Sequence, residues 1–269
     1  MDYKMLVLDL DGTCLTSDYR ITDELCSLIQ RIKDDYSVHI VTGRSMSDAY
    51  RYQTLLGLTS DLVCYNGALI YDVKNNKPKY RKYMQAANNI LKYLIVNSKY
   101  LGIENIIVSS IEKTYALNQR NQYLCEMMYD KALPFIFVRE AEMLGISNAQ
   151  RIVLSVEPTR KNEITKQIMQ SFHDVKVYSW SGRDDIVDIC MADVNKWEAV
   201  KRLMKDQHII PELVIAVGDS GTDVDILKNV GMGICMRNGS LEARSVAKHI
   251  TKYDNDQNGV FLSLRGIVG

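Results

Sequence analysis

Both ends of this 269-residue chain repeat one rhythm, a short apolar run, a turn and then an amphipathic segment. Near the start, MLVLDLDGT is followed by ITDELCSLIQRIKDD. There Leu25, Leu28, Ile29 and Ile32 recur at i, i+3, i+4 and i+7 behind Thr22, which predicts a capped helix with one apolar face. SVHIVTGR reads as a second strand, Met46 to Leu56 as a helix, and DLVCYNGALIYD as a strand with a tight Asn-Gly turn. In the last third, NKWEAVKRLMKD places Val200, Leu203 and Met204 on one face, with Asn195 and Glu198 spaced as an N-cap and its N3 partner. PELVIAVGDSGTD is a strand with an acidic end, DVDILKNVG a helix closed by Gly231, and MGICM a short strand. Alternating β and α elements with short connections demand a parallel sheet covered on both faces.

The middle reads differently. Between Lys82 and Asp185, helical stretches at QAANNILKYLIVNS and RKNEITKQIMQSF are separated by the strand candidates IENIIVSS, FIFVRE, RIVLSVE and VKVYSW. The expected organisation is an α/β, Rossmann-like core over residues 1–81 and 186–269, interrupted by an α+β cap over residues 82–185. Basic, polar KNNKPKYRK is the expected crossing segment, a solvated hairpin or hinge in preference to a phosphate-attracting patch.

Composition narrows the partners. Lys plus Arg equals Asp plus Glu, 33 against 33, so no electrostatic pull toward nucleic acid or an anionic membrane is expected. The opening MDYKMLVLDLDG reads as a strand and not as a signal segment. No stretch approaches the roughly 20 apolar residues of a membrane helix. The cysteines Cys14, Cys26, Cys64, Cys125, Cys190 and Cys235 form no CxxC pair, which suits small buried hydrophobes in a reducing cytoplasm better than disulfides or a zinc site. His39, His173, His208 and His249 are equally dispersed, so histidine-based metal chemistry is not expected. Oligomeric state is not legible.

The chemistry lies at strand ends. Asp9 and Asp11 are two residues apart at the close of the first strand, and alternation with period two puts both on one side of it. Thr42 ends the second strand, Asp219 and Asp223 lie in GDSGTD, Asn66 sits on a further turn, and Lys196 opens the helix after VDICMADVN. Open parallel sheets bind ligands beyond the carboxyl ends of their strands, so these groups are expected in one crevice. Two like charges about 4 Å apart repel by on the order of 4 kcal/mol at an effective dielectric near 20. Such a cluster needs a divalent cation, and hard oxygen ligands in an incomplete cage suit Mg²⁺, which also accepts substrate phosphate.

DLDGT, VTGR, a lysine at a helix start and GDSGTD resemble, in order, the four motifs of the haloacid dehalogenase superfamily of phosphatases. YNGAL, an insertion of about a hundred residues between the second and third motifs, and the ending MRNGSLEARSVAKHIT with NDQNGV resemble its Cof-type branch with an α/β cap of type IIB. The resemblance implies that Asp9 is a nucleophile forming an aspartyl phosphate, and that Asp11 is the acid/base. It further implies that Thr42 and Lys196, with backbone N–H groups of the Gly12 and Gly43 turns, hold the phosphoryl oxygens. Asp9, the main-chain carbonyl of Asp11 and Asp219 are implied to bind Mg²⁺, with Asp223 orienting a metal-bound water or Lys196. Arg44, Asn66 and Asn238 are candidate phosphate or substrate contacts.

Some positions depart from the pattern: Thr222 stands for the usual asparagine, Cys14 for leucine, and Arg237 with Gly239 alter the customary MGNA, leaving Asn238 in register. The implied activity is hydrolysis of a small phosphorylated metabolite, with the cap closing over the crevice and choosing the substrate. Alternatives on the same residues are a non-catalytic phosphate-binding or regulatory relative and a phosphomutase. Dehalogenation is disfavoured, because a halide needs no acid such as Asp11. Tyr115, Tyr123 and Arg183 lie in the insertion, where packing or surface roles are expected.

Overall fold

The computed structural model describes residues 3–117, 135–178 and 183–268. Tyr123, Cys125 and the last two residues of VKVYSW lie outside the described residues. The chain divides into two compact units, Met1–Arg81 with Asn195–Gly269, and Lys82–Val194.

The first unit is an α/β core. Its five-stranded sheet has the order β14-β13-β12-β1-β2, where β1 is Met5–Leu8, β2 Ser37–Ile40, β12 Val214–Gly218, β13 Met232–Cys235 and β14 His249–Ile250. All four pairings are parallel, with Val7 opposite His39 on one side and Ala216 on the other. Every residue of β1 and β12 is buried, as an unbroken apolar run in a doubly covered sheet requires. From β1 the chain steps through the helix Asp23–Ile32 to β2, whereas β12 leads away on the other side to β13 and β14. The two directions diverge between β1 and β12, and the carboxyl ends of strands at such a switch point are where open α/β sheets bind ligands.

Local chemistry fixes the flanking helices. Thr22 Oγ1 accepts from Leu25 N at 3.4 Å, and the helix Asp23–Ile32 buries Leu25, Leu28, Ile29 and Ile32. Asn195 Oδ1 accepts from Glu198 N at 2.8 Å and starts the helix Lys196–Asp206, which buries Val200, Leu203 and Met204 in a cluster with Met5, Val7, Val214 and Leu227. A parallel bridge between Val41 and Val63 sets β3 (Leu62–Cys64) beside the end of β2. A one-turn helix, Tyr65–Gly67, then leads to β4 (Leu69–Asp72), antiparallel to β3. KNNKPKYRK is the expected solvated hairpin: Lys77–Arg81 form the mostly exposed strand β5, paired antiparallel with β4, and the first unit's opening segment ends at Arg81.

The second unit carries a six-stranded sheet of order β10-β11-β9-β6-β7-β8. These strands are β6 (Ile103–Ser109), β7 (Thr114–Ala116), β8 (Phe135–Phe137), β9 (Arg151–Val156), β10 (Val175–Tyr178) and β11 (Ile186–Met191). The expected second boundary at residue 185 falls one strand early, because β11 pairs antiparallel with β9 and β10 and belongs to this unit, which ends at Val194. Helices Ala87–Leu101 and Lys161–Ser171 bury Ile90, Leu91, Leu94, Ile164 and Ile168. Tyr115 lies on β7, and Arg183 pairs with Asp185. Among the described residues no helix is long and apolar enough to cross a membrane, and the described cysteines form no disulfide with one another.

Leu203 is fully buried in the cluster under the parallel sheet. Leu203→Ala is expected to lower stability by about 2–5 kcal/mol, read as a shift of the urea midpoint with an unchanged slope.

Candidate active site

Asp9 is the last residue that the sheet holds, since its N–H donates to Val217 O at 3.1 Å. Beyond it Leu10–Cys14 make one wide turn closed by Leu15 N donating to Leu10 O at 2.9 Å. Gly12 has φ +69°, and a Cβ there would lie 2.6 Å from Asp219 Oδ2. Glycine is needed for the left-handed backbone and for the approach of the loop after β12. Thr13 Oγ1 donates to Asp219 Oδ1 at 3.0 Å and ties the two loops together.

Asp9, Asp219 and Asp223 each offer a carboxylate oxygen within 4.8 Å of the others. Their exposures are 6%, 9% and 3%. Lys196, the first residue of its helix and buried, reaches Asp9 Oδ1 at 2.9 Å and Asp223 Oδ1 at 2.7 Å. The other oxygen of Asp223 accepts from Asp219 N (3.2 Å), Ser220 N (3.0 Å) and Ser220 Oγ (2.8 Å). Asp223 is therefore engaged on both sides, whereas Lys196 takes only Oδ1 of Asp9 and Thr13 only Oδ1 of Asp219, which leaves Oδ2 of each outside these bonds.

Three carboxylates and one ammonium leave the pocket two positive charges short when all are ionised. Burial raises the Asp9 pKa well above its ordinary value against the pull of Lys196, and the Asp223 and Asp219 charges raise it further. Burial likewise pushes Asp219 up to about 7, with Asp223 adding to the rise and Lys196 and Thr13 opposing it. For Lys196, burial disfavours the ammonium, yet Asp223 and Asp9 outweigh it and hold the pKa above the usual lysine range. Buried, under-compensated carboxylates with hard oxygen donors fit a small divalent cation.

Thr42 is fully buried on the chain leaving β2, the strand next to β1. Its N–H donates to Val63 O and its carbonyl accepts from Asn66 N, both at 3.0 Å, while Oγ1 accepts from Arg44 N at 3.2 Å. A Cβ on Gly43 would lie 3.0 Å from Asn66 Oδ1, so the two turns are packed against each other.

Residues 6–264 match the profile of the haloacid dehalogenase-like hydrolases. The chain belongs to that family. It is 26% identical over 262 residues to the 5-amino-6-(5-phospho-D-ribitylamino)uracil phosphatase of Bacillus subtilis, covering 95% of this chain and 94% of that one. Among solved structures it superimposes on a haloacid dehalogenase-like hydrolase from Bacteroides thetaiotaomicron with a TM-score of 0.85 at 19% identity, covering 98% and 99% of the two chains. A sugar phosphatase of HAD subclass IIB gives a TM-score of 0.79 at 17% identity, with 98% of each chain covered. The likeness to Cof-type phosphatases drawn from the motifs, and the enzyme class it implied, stand with this membership.

In this hydrolase Asp9, Lys196, Asp219 and Asp223 come together, but the side chain of Asp11 does not join them. It is half exposed and gripped by Arg44, whose Nε and Nη2 donate to Oδ2 and Oδ1 at 2.7 and 2.6 Å. The same-side expectation for Asp9 and Asp11 fails because the strand ends at Leu8 and the turn carries Asp11 elsewhere. Arg44 commits its guanidinium to Asp11 and Asp48. Asn238 braces the first loop, donating to Gly12 O at 2.8 Å and accepting from Asn255 N at 3.3 Å. Thr222 Oγ1 lies 2.8 Å from Ser220 Oγ. Sequence reasoning gave no role to Thr13 or Ser220, although both lie inside the quoted motifs with hydroxyls beside the acids they serve.

The raised Asp219 pKa carries a stability consequence. The folded state keeps this proton up to about pH 7, whereas the unfolded chain releases it near 3.8, so metal-free stability is lost as pH rises between those values. Asp219→Asn is expected to flatten that loss in chelator, by at most about 4 kcal/mol between pH 4 and pH 8. Urea midpoints of the two proteins across that range read the difference.

Proposed function

We propose that this hydrolase is a Mg²⁺-dependent phosphatase that cleaves a small phosphorylated metabolite, a sugar phosphate or a phosphorylated cofactor, through an aspartyl phosphate on Asp9. The observation that carries this reading is the buried cluster at the end of β1: a carboxylate held by one ammonium, flanked by two further carboxylates, and short of positive charge. Asp9, Asp219 and the main-chain carbonyl of Asp11 would hold Mg²⁺. When bound, the ion would neutralise charge on the phosphoryl group.

The remaining work belongs to the chain. A carboxylate oxygen of Asp9 attacks phosphorus, the ester P–O bond breaks, and Asp11 gives its proton to the leaving alkoxide. Asp11 then takes a proton from the water that attacks the phosphorus of the aspartyl phosphate, which releases inorganic phosphate and restores Asp9. Lys196 and the Thr42 hydroxyl, with N–H groups of the Gly12 and Gly43 turns, hold the equatorial oxygens as charge spreads. Asp223, engaged on both its oxygens, keeps Lys196 and the Asp219 loop in place beside the metal ligands, within whose cluster its carboxylate also lies.

The substrate class is supported by the activities of the Bacillus subtilis relative and the subclass IIB sugar phosphatase. Balanced overall charge supports a small-molecule partner over nucleic acid, and the buried free thiols of Cys14, Cys64, Cys190 and Cys235 support a cytoplasmic setting.

Release of inorganic phosphate from a panel of phosphorylated metabolites tests the reading. Activity is expected with Mg²⁺, to vanish in chelator, and to fall by on the order of a thousandfold or more in Asp9→Asn. Metabolites left intact by the wild type with Mg²⁺ would sink it. The ion itself is expected to stabilise the protein at pH 8 by about 2.7 kcal/mol at one hundred times its dissociation constant. Asp219→Asn is expected to lose most of that gain, as thermal unfolding with and without Mg²⁺ would register.

A further inference from the structure

We propose that Tyr19 is a positioning residue for the acid/base group, clamping with Tyr52 the guanidinium of Arg44 that in turn fixes the Asp11 carboxylate. This rests on the reading of Asp11 as acid and base given above. The Arg44 Cζ lies 5.2 Å from the Tyr19 ring centroid and 5.5 Å from that of Tyr52. A guanidinium faced by aromatic rings keeps its plane while its edge N–H groups remain free to grip a carboxylate. Here the edge grips both oxygens of Asp11, and Nη1 pairs with Asp48. Asp11 is half exposed, and no other side chain is recorded as bonding its carboxylate among the described residues. Its orientation therefore depends on Arg44.

The tyrosines are joined to the same device by the backbone. Tyr52 Oη donates to Tyr19 O at 3.0 Å and accepts from Arg51 Nη2 at 2.7 Å, while Arg51 also reaches Asp48 at 2.9 Å. Tyr19 sits in a tight turn, with its N–H donating to Thr16 O at 2.8 Å, and has φ +60°, a left-handed conformation that a bulky residue rarely adopts. The residue is 53% exposed, so apolar burial does little to offset that backbone strain. Stacking on Arg44 is the contact that accounts for a tyrosine at this position. A proton donor has to be held at a defined angle to the leaving oxygen, which is what a bidentate grip on a clamped arginine supplies.

Acid assistance matters for a poor leaving group and little for a good one, which separates positioning of Asp11 from general damage. Full-length protein with Mg²⁺ would be assayed on a simple alkyl phosphate and on p-nitrophenyl phosphate. Tyr19→Ala and Tyr19→Gly are expected to lower kcat/KM for the alkyl ester about tenfold and for the aryl ester by no more than about twofold. Tyr19→Phe, which keeps the ring, is expected to match wild type on both. Glycine suits the left-handed backbone, so that variant removes the ring without disturbing the turn. Equal losses on the two esters, or none, would overturn the proposal. Asp11→Asn run alongside separates the two failures: if it spares the alkyl ester, the acid/base reading falls and this inference with it. If it shows the selective loss and the Tyr19 variants do not, only the present inference falls.

Discussion

The contact on which the site depends is the buried ammonium of Lys196 between Asp9 and Asp223. Without it, three carboxylates this close and this dry would be harder still to ionise, since Lys196 is the group that pulls the Asp9 and Asp219 pKa values back down. The arrangement breaks a local rule, since Lys196 is the first residue of its helix, where the backbone dipole already presents positive charge and disfavours a cation. Asn195 and Glu198 satisfy that helix start in the ordinary way, so the lysine is there for its tertiary partners. Violations of this kind gather at functional sites, where the cost is met by the rest of the fold.

Topology explains why these charges meet. β1 and β12 are adjacent and parallel although more than two hundred residues separate them, so their carboxyl ends, and with them Asp9 and Asp219, come side by side. The meeting is close enough that Gly12 must lack a side chain. The crossed hydrogen bonds of Thr13 on Asp219 and of Asn238 on the Gly12 carbonyl then hold the two loops in one register. The sheet supplies proximity, and the small polar residues beside the acids supply the angles.

Much of this was legible in the residues. Apolar runs ending in acid, hydroxyl or glycine marked the strand ends, and Thr22 and Asn195 marked helix starts, because caps and side-chain periods act locally. What was not legible depends on pairing. Ile186–Met191 is buried throughout and reads equally well as a parallel core strand, yet it pairs antiparallel with β9 and β10. KNNKPKYRK was legible as a solvated hairpin or hinge, but the strand β5 within it, and its register on β4, was not. The alternation argument for Asp11 was carried past Leu8, where the chain stops being a strand.

That last difference bears on the chemistry. Asp9 and Asp11 are two residues apart and identical in kind, yet one is 6% exposed and bonded to a lysine, while the other is half exposed and held by an arginine. On the proposed reading the two must do different things. A nucleophile has to be dry, ionised and aimed, whereas a group that gives a proton to the leaving oxygen and takes one back from the attacking water has to be reachable by that water. Had the strand continued to Asp11, both carboxylates would have shared the dry pocket, and nothing in their surroundings would have told them apart. The turn Leu10–Cys14, made possible by Gly12, is what divides one repeated residue into two environments.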